Sequence, residues 1–439
     1  MRNLLYSNEK RGQWPDSWYV ASAAPAPERP ALETDLSAEV CVIGAGFTGL
    51  STALHLAERG VEVVVLEAQR AGWGASGRNG GQIGVGQRVE QPYVEDMVDA
   101  DTAQGAWEIG RDAAALVKEL AARHGIDCAL KDGLMYVNHR RRYDGPMRDY
   151  AAHMQARYGA DFRYLSPGEV RERLGAPGLH GGLLKPSGGH LHPLNYARGL
   201  ARAAEAAGAR IHELSEATAI EAASGTSGTG GVVVRTAAGS VSAKTVVTAC
   251  NGYLGDLLPE AAERVMPINN YVLATAPLPE DRARALIRDD VAVADSRFVV
   301  NYYRLREDRR MLFGGGESYG WTFPKDLKGC LRKRLLKVFP QLGDTAITHA
   351  WGGTLAITPS RLPLWGELRP GVFNASGYSG SGVALATMAG KVLAEALTGD
   401  RRRLQAMAAL PTPRFPGGAR LRRPALVAAM LFAQLRDAL

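Results

Sequence analysis

Gly44, Gly46 and Gly49 follow the apolar run Val40-Cys41-Val42-Ile43 and lead into the helical pattern Leu50, Ala53, Leu54 and Ala57, which Gly60 closes. The next apolar run, Val63-Val64-Val65-Leu66, ends in Glu67 and Ala68. A strand that feeds a glycine turn and then a helix gathers backbone N–H groups and the positive end of the helix dipole at one point, which suits a pyrophosphate. Gly44 permits the turn, Gly46 lets the backbone approach a phosphate with no Cβ in the way, and Gly49 lets helix and strand pack closely. Phe47 and Thr48 open the helix. Glu67 stands where ribose hydroxyls would donate to a carboxylate, and its charge repels a 2′-phosphate, so NADP is disfavoured. The chemistry implied is dinucleotide binding.

Two further segments put backbone forward over side chain. Gly72-Trp73-Gly74-Ala75-Ser76-Gly77-Arg78-Asn79-Gly80-Gly81-Gln82 gives up folding entropy for close approach to something flat or charged. Val372 to Val383, which carries Gly377-Tyr378-Ser379-Gly380-Ser381-Gly382-Val383, reads as strand, glycine loop and helix, the helix beginning near Gly382 with its N-terminus facing back at the loop. That polarity suits the electron-rich edge of a flavin, which becomes anionic on reduction. A strand at 245 to 249 runs into Cys250-Asn251-Gly252, a third turn of the same kind. A flat, redox-active ring between the 72–82 and 377–383 loops moves the expected cofactor from NAD to FAD.

These parts need a scaffold. At 439 residues the chain exceeds one hydrophobic core, and its 46% hydrophobic and 22% charged composition describes a globular protein. The net charge of +7 is scattered; Arg140-Arg141-Arg142 and Arg401-Arg402-Arg403 read as solvated faces, so no nucleic-acid partner is expected. Cys41, Cys128, Cys250 and Cys330 lie far apart without metal spacing, and His190 with His192 has no acidic or thiol companion, so no metal is expected and a cytoplasmic location fits. No signal peptide is visible, and no apolar run reaches the roughly 20 residues that span a bilayer. Pro424 to Phe432, preceded by Arg420, Arg422 and Arg423, reads as a tail helix packed on its own protein or a partner subunit, with peripheral membrane contact as the alternative. The first 35 residues, with Trp14, Trp18 and Tyr19, read as a surface arm. Helices are expected at 101–124, 145–158, 196–207 and 325–338, a turn at Ser166-Pro167-Gly168, and a hairpin of 298–304 with 310–313.

The blocks Gly72 to Gln82, Gly189-His190-Leu191-His192-Pro193-Leu194, Leu312-Phe313-Gly314-Gly315-Gly316, Gly377 to Gly382 and Phe415-Pro416-Gly417-Gly418, in this order, resemble the D-amino-acid-oxidase-like family of FAD-dependent oxidoreductases, within it the gamma-glutamylputrescine oxidase-like branch. The resemblance implies an α/β fold in which a Rossmann-like βαβ domain for FAD interleaves with a mixed or antiparallel-sheet substrate domain. It divides the chain into an arm (1–36), FAD-binding blocks (37–100, 188–266, 346–410), substrate blocks (101–187, 267–345) and a C-terminal tail helix (411–439). Gly44, Gly46, Gly49 and Glu67 would hold the ADP half and Ala217 the adenine. Ser76 through Gln82, that is Ser76, Gly77, Arg78, Asn79, Gly80, Gly81 and Gln82, would run beside pyrophosphate and ring. Gly252 and Gly353 would stand near the flavin, and Gly377, Ser379, Gly380, Ser381, Gly382 and Val383 at its pyrimidine end. Asn79 and Gly353 occupy the places where some relatives carry a covalent His or Cys, which implies non-covalent FAD.

The implied reaction is hydride transfer from a neutral primary or secondary amine, gamma-glutamylputrescine-like or an amino acid, to flavin N5, giving imine or aldehyde and H2O2. Tyr302, Tyr303, Trp351 and Tyr378 are the candidates for the substrate face, with Arg304 or Arg361 as a carboxylate partner. Two positions depart from the family pattern. Ser381 stands where the glycine loop usually carries His, and Leu312 falls where sarcosine oxidases place an oxygen-activating lysine. An amino- or imino-acid dehydrogenase with an acceptor other than O2, acting on pipecolate- or proline-like substrates, therefore stays open beside the oxidase, as does an inactive flavin-binding homologue.

Overall fold

The computed structural model describes residues 4–223 and 231–418. The apolar runs become the middle of a sheet in the order Leu364–Arg369, Val372–Ser376, Ser240–Thr248, Leu36–Ile43, Val63–Leu66, Arg210–His212. The last five of these pair parallel to one another, and Leu364–Arg369 is antiparallel to its neighbour. Val63–Leu66 and Val372–Ser376 are buried throughout, which is why they read as continuous apolar runs instead of alternating ones. Parallel pairing points the carboxyl ends of Ile43, Leu66, Thr248 and Ser376 the same way. The loops that follow, 44–46, 67–69, 249–253 and 377–381, therefore gather along one edge of the sheet, where ligands of open α/β sheets bind.

One face of this sheet is covered by the helices Phe47–Ala57, Ala100–Arg123, Pro193–Ala206 and Gly382–Leu397, which touch one another. Leu50, Leu54, Leu200 and Leu393 are fully buried among them. Each such leucine stabilises the layer by about 1.5–3 kcal/mol. A second sheet, in the order Ile347–Ile357, Met266–Thr275, Met311–Ser318, Tyr302–Leu305, Ala292–Asp295, Lys131–Val137, Gly182–His190, Gln82–Ile83, faces the loop edge of the first. It mixes antiparallel pairs with one parallel pair, Ala292–Asp295 on Lys131–Val137.

Several expectations are corrected. Gln82–Ile83 and Ile347–Ile357 belong to the second sheet, although both were placed in FAD-binding blocks. Ser166 does not begin a mere turn: its hydroxyl and Glu169 form a capping box that starts the helix Pro167–Arg173. The helix expected from 196 begins at Pro193, because the His192 ring accepts from the Asn195 N–H as its cap. The hairpin pairs Tyr302–Leu305 with Met311–Ser318; residues 298–301 stay out of the strand where the Asp295 carboxylate binds the Asn301 backbone and amide. The arm is not a surface strip. Trp18 and Tyr19 lie in the short helix Trp18–Ser22, buried against Leu194, Leu312 and Trp351. Among the described residues no helix is long and apolar enough to cross a membrane. The apolar tail at 424–432 lies outside the described residues.

Candidate active site

Between the loop edge of the first sheet and the inner face of the second lies a cavity of ≈ 1080 Å³. That exceeds the roughly 300–1,000 Å³ of an ordinary small-molecule pocket, so it accommodates a large cofactor with room beside it. Gly44, Gly46, Phe47, Thr48, Glu67 and Ala68 line one end, with Ala217 beyond them. Ser76, Arg78, Asn79, Gly80 and Gln82 line the middle, facing Gly252 and Gly353. Ser379, Gly380, Ser381, Gly382 and Val383 line the far end, together with Tyr302, Tyr378 and Arg361.

Gly49, Gly77, Gly81 and Gly377 stand behind the wall and shape it. A Cβ on Gly49 would sit 1.8 Å from the Gly44 carbonyl oxygen, so only hydrogen fits where the helix leaves the turn. Gly377 is held from behind, its N–H donating to Asn251 Oδ1 at 3.0 Å. Neither Gly46 nor Ser381, the residues that precede the two helices facing the cavity, caps its helix with a side chain. Both helix N-termini thus present backbone N–H groups and their dipole to the space between them.

Local hydrogen bonds fix this backbone. Ser76 Oγ accepts from the Phe47 N–H at 2.9 Å, tying the second loop to the first. Asn79 bridges its own loop, donating to the carbonyls of Ala75 and Ser76 and accepting from the Gly81 N–H. The Glu67 carboxylate accepts from the Ala45 and Gln69 N–H groups at 2.7 and 2.8 Å. Burial nevertheless pushes its pKa up to about 7, against those two bonds. Tyr378 Oη lies 2.5 Å from Thr48 Oγ1, joining the last loop to the first helix. These features meet the demands of FAD: a glycine cradle at the pyrophosphate position, a carboxylate at the ribose position, and two helix ends beyond.

The residues expected on the substrate face divide. Tyr302 lies against Gly80 and donates to Asn270 Oδ1 at 2.6 Å. Arg361, at φ +60, holds its guanidinium 4.9 Å from the Phe298 ring and faces Glu317. Trp351 is not on the cavity wall: it is buried behind it, and Nε1 donates to the Arg78 carbonyl at 2.9 Å. Arg78 itself stacks on Trp73 at 4.1 Å and pairs with Glu9 at 3.0 Å, so it holds the loop more than it offers charge. Arg304 is spent on the Gly80 and Leu191 carbonyls and Tyr19 Oη, away from the cavity. Tyr303 is stacked on Phe313 in the core. His190 bonds the Asp290 carbonyl and His192 bonds Ser22 Oγ; among the described residues no cluster could hold a metal ion.

Other wall residues carried no motif. Arg88, Lys185, Asn270 and Glu317 line the cavity, as do Leu4 and Leu5 of the arm. Only Lys185 had a signal, a charge placed two residues from Leu183 and therefore on the same face of its strand.

The model of the family described as "FAD dependent oxidoreductase" matches residues 39–396. The chain is 40% identical over 425 residues to the gamma-glutamylputrescine oxidoreductase of Escherichia coli strain K12, covering 96% of this chain and 98% of that one. It is 39% identical over 425 residues to the probable oxidoreductase OrdL of Rhizobium meliloti, covering 96% and 97%. Glycine oxidase from Geobacillus kaustophilus superposes with a TM-score of 0.69 at 22% identity, covering 86% of this chain and 99% of that one, and shares the fold. With a glycine cradle, an acidic strand end and two helix N-termini around one cavity, the chain belongs to the FAD-dependent oxidoreductase family and uses FAD.

Proposed function

We propose that this chain is an FAD-dependent oxidase of a primary or secondary amine of the gamma-glutamylputrescine kind, yielding imine or aldehyde and H2O2. The observation that carries the reading is the continuation of the cavity past the cofactor-holding loops into a wall of Tyr302, Phe298, Leu355 and Ile357, interrupted by Arg361, Arg88 and Glu317. The names of relatives similar over the whole chain support it. The FAD is held non-covalently. Asn79 and Gly353 have no nucleophile, and burial pushes the cavity-facing Cys250 thiol up to about 12.

FAD, when bound, supplies the hydride acceptor. The chain's own residues exclude water and position the amine. Tyr302 keeps its phenol protonated, since burial drives its pKa far up, and the Asn270 bond fixes the ring against Gly80. The apolar wall disfavours an ammonium and favours the neutral amine that can give up a hydride. Arg361 and Glu317 set the polarity at the pyrimidine end.

A second reading, a dehydrogenase with another acceptor, is favoured by Leu312, an uncharged side chain buried against Trp18, Tyr19 and Trp351, and by the short Ser381 side chain. Anaerobic bleaching of the purified yellow protein by an amine, followed by rapid recolouring in air with H2O2 release, is the expected result. Bleaching without recolouring selects the dehydrogenase, and a flavin that no amine or amino acid reduces selects the inactive homologue.

A further inference from the structure

Beyond the cofactor loops the cavity extends into a lobe between the helix Asp144–Tyr158 and the strand Gly182–His190, walled by Tyr136, Met147, Tyr150 and Leu183. Lys185 enters this lobe from the strand. It is 7% exposed, and its ammonium makes one hydrogen bond, to the Val85 carbonyl at 3.2 Å. It otherwise meets aromatic faces, Phe162 at 4.1 Å, Tyr136 at 5.1 Å and Tyr150 at 5.9 Å. No carboxylate among the described residues pairs with it, although an ammonium has three donors and a buried charge without a counterion is costly. Arg88 stands on the neighbouring wall. Its Nε donates to the Ser379 carbonyl at 2.9 Å, and among the described residues none bonds its terminal nitrogens. Glu90, also on the cavity lining, is the negative charge that acts most strongly on Lys185, followed by Asp161.

We propose that this lobe seats an α-amino-acid head carried by the substrate at the end away from the oxidised carbon, its carboxylate on Lys185 and Arg88 and its ammonium toward Glu90. This deepens the amine-oxidase reading and rests on it. Cation–π contact alone would not call for a strand lysine at a cavity wall, since methionine fills such a space without burying a charge. The sign pattern, Lys185 beside Glu90 and Arg88 beside Glu317, leaves Lys185 as the buried cation without an ion-pair partner among the described residues and matches a zwitterion. A bare diamine would leave Lys185 unanswered.

The test uses the FAD-loaded enzyme and its Lys185→Met and Arg88→Met variants. L-Glutamate is titrated calorimetrically as the head alone, and anaerobic flavin reduction is followed with gamma-glutamylputrescine and with N-acetylputrescine, which keeps the amide and the oxidisable amine but lacks the head. Lys185→Met is expected to weaken L-glutamate and to raise the apparent Kd of gamma-glutamylputrescine about 10- to 100-fold, the range for a charged hydrogen bond. The limiting reduction rate and the Kd of N-acetylputrescine stay within about threefold. Arg88→Met is read on L-glutamate affinity alone, because Arg88 Nε also holds the Ser379 carbonyl; weakened L-glutamate binding carries the test if Lys185→Met fails to retain flavin. Equal effects on both amines, or none, overturn the proposal. If no amine reduces the wild-type flavin while L-glutamate binding depends on Lys185, the amine reading falls and the seat stands; L-glutamate binding that ignores Lys185 and Arg88 sinks the seat alone.

Discussion

The two helices that face the cofactor, Phe47–Ala57 and Gly382–Leu397, are separated at Gly390 by the width of a hydrogen atom. A Cβ there would lie 2.5 Å from Ser51 Cβ, 2.5 Å from the Thr52 nitrogen and 2.7 Å from the Thr48 carbonyl oxygen. Two of these are backbone atoms, so no side-chain rotation relieves them, and the helices must part by roughly an ångström to reach ordinary contact. Alanine gains about 0.8–1.0 kcal/mol of helix propensity over glycine, whereas overpacking costs about 1–3 kcal/mol or more. Gly390→Ala should therefore lose up to about 2 kcal/mol, at about 2–4 °C of melting temperature per kcal/mol in a chain no larger than about 250 residues and less here. The movement reaches the site, because Thr48 also holds Tyr378 through its hydroxyl. FAD affinity should fall about tenfold, the equivalent of about 1.4 kcal/mol. Gly105→Ala is the control: it lies in the helix Ala100–Arg123, and its nearest atom would be Ala406 Cβ at 3.4 Å, so it keeps the propensity gain. Differential scanning fluorimetry and quenching of free flavin fluorescence measure both. A Gly390→Ala protein that melts and binds FAD like Gly105→Ala would refute the reasoning.

Three further outcomes follow from other contacts. The Glu67 carboxyl titrates near 4.5 in the unfolded chain but is held up to about 7 in the folded FAD-free protein, so that protein loses stability as pH rises through this window. Ribose hydroxyls favour the charged form, hence FAD binding releases a proton and tightens by up to tenfold per unit as pH rises toward about 7; a flat Kd profile between pH 5.5 and 8, or the same profile in Glu67→Gln, contradicts this. Glu9→Gln strips the buried Arg78 guanidinium of its counterion and should cost about 3 kcal/mol, with faster flavin release on mild heating; unchanged release would show that the arm does not brace the loop. Tyr302→Phe removes the bond to Asn270 at a cost of about 1 kcal/mol while keeping the ring, so turnover should stay within a few-fold, in contrast to Tyr302→Ala. Equal losses in both variants would move the role from ring to hydroxyl.

The cofactor cradle was readable because it is made of backbone, and glycine at a strand-to-helix turn is a local signal: Gly44, Gly46 and Gly49 specify their geometry within six residues. The substrate wall was not. Arg88, Lys185, Asn270 and Glu317 come from separate segments, and only the pairing of the second sheet brings them to one face. Residue type misled where packing and chemistry use the same side chains. Trp351 and Arg304 have the composition of a binding wall, but each spends its donors on backbone carbonyls that hold the 72–82 loop, Trp351 on Arg78 and Arg304 on Gly80. Trp18 and Tyr19 read as part of a surface arm because nothing local shows the apolar partners their rings find in four distant segments, around Leu194, Val272, Leu312 and Trp351.

The strand order of the first sheet also sets a clock. Val372–Ser376 docks on Ser240–Thr248, which docks on Leu36–Ile43, so the floor of the cofactor site is assembled from the beginning, middle and end of the chain. At ribosomal rates of about 5–20 residues per second, roughly 15–70 s separate synthesis of the first and last of these strands. Until then the edge at Val246–Thr248 is open, Val232–Arg235 covering only Ser240–Ala243, and the second helix N-terminus does not exist. Flavin capture is therefore a late event that waits for all three strands, and cellular flavin scarcity would act on an apoprotein in which they are already docked.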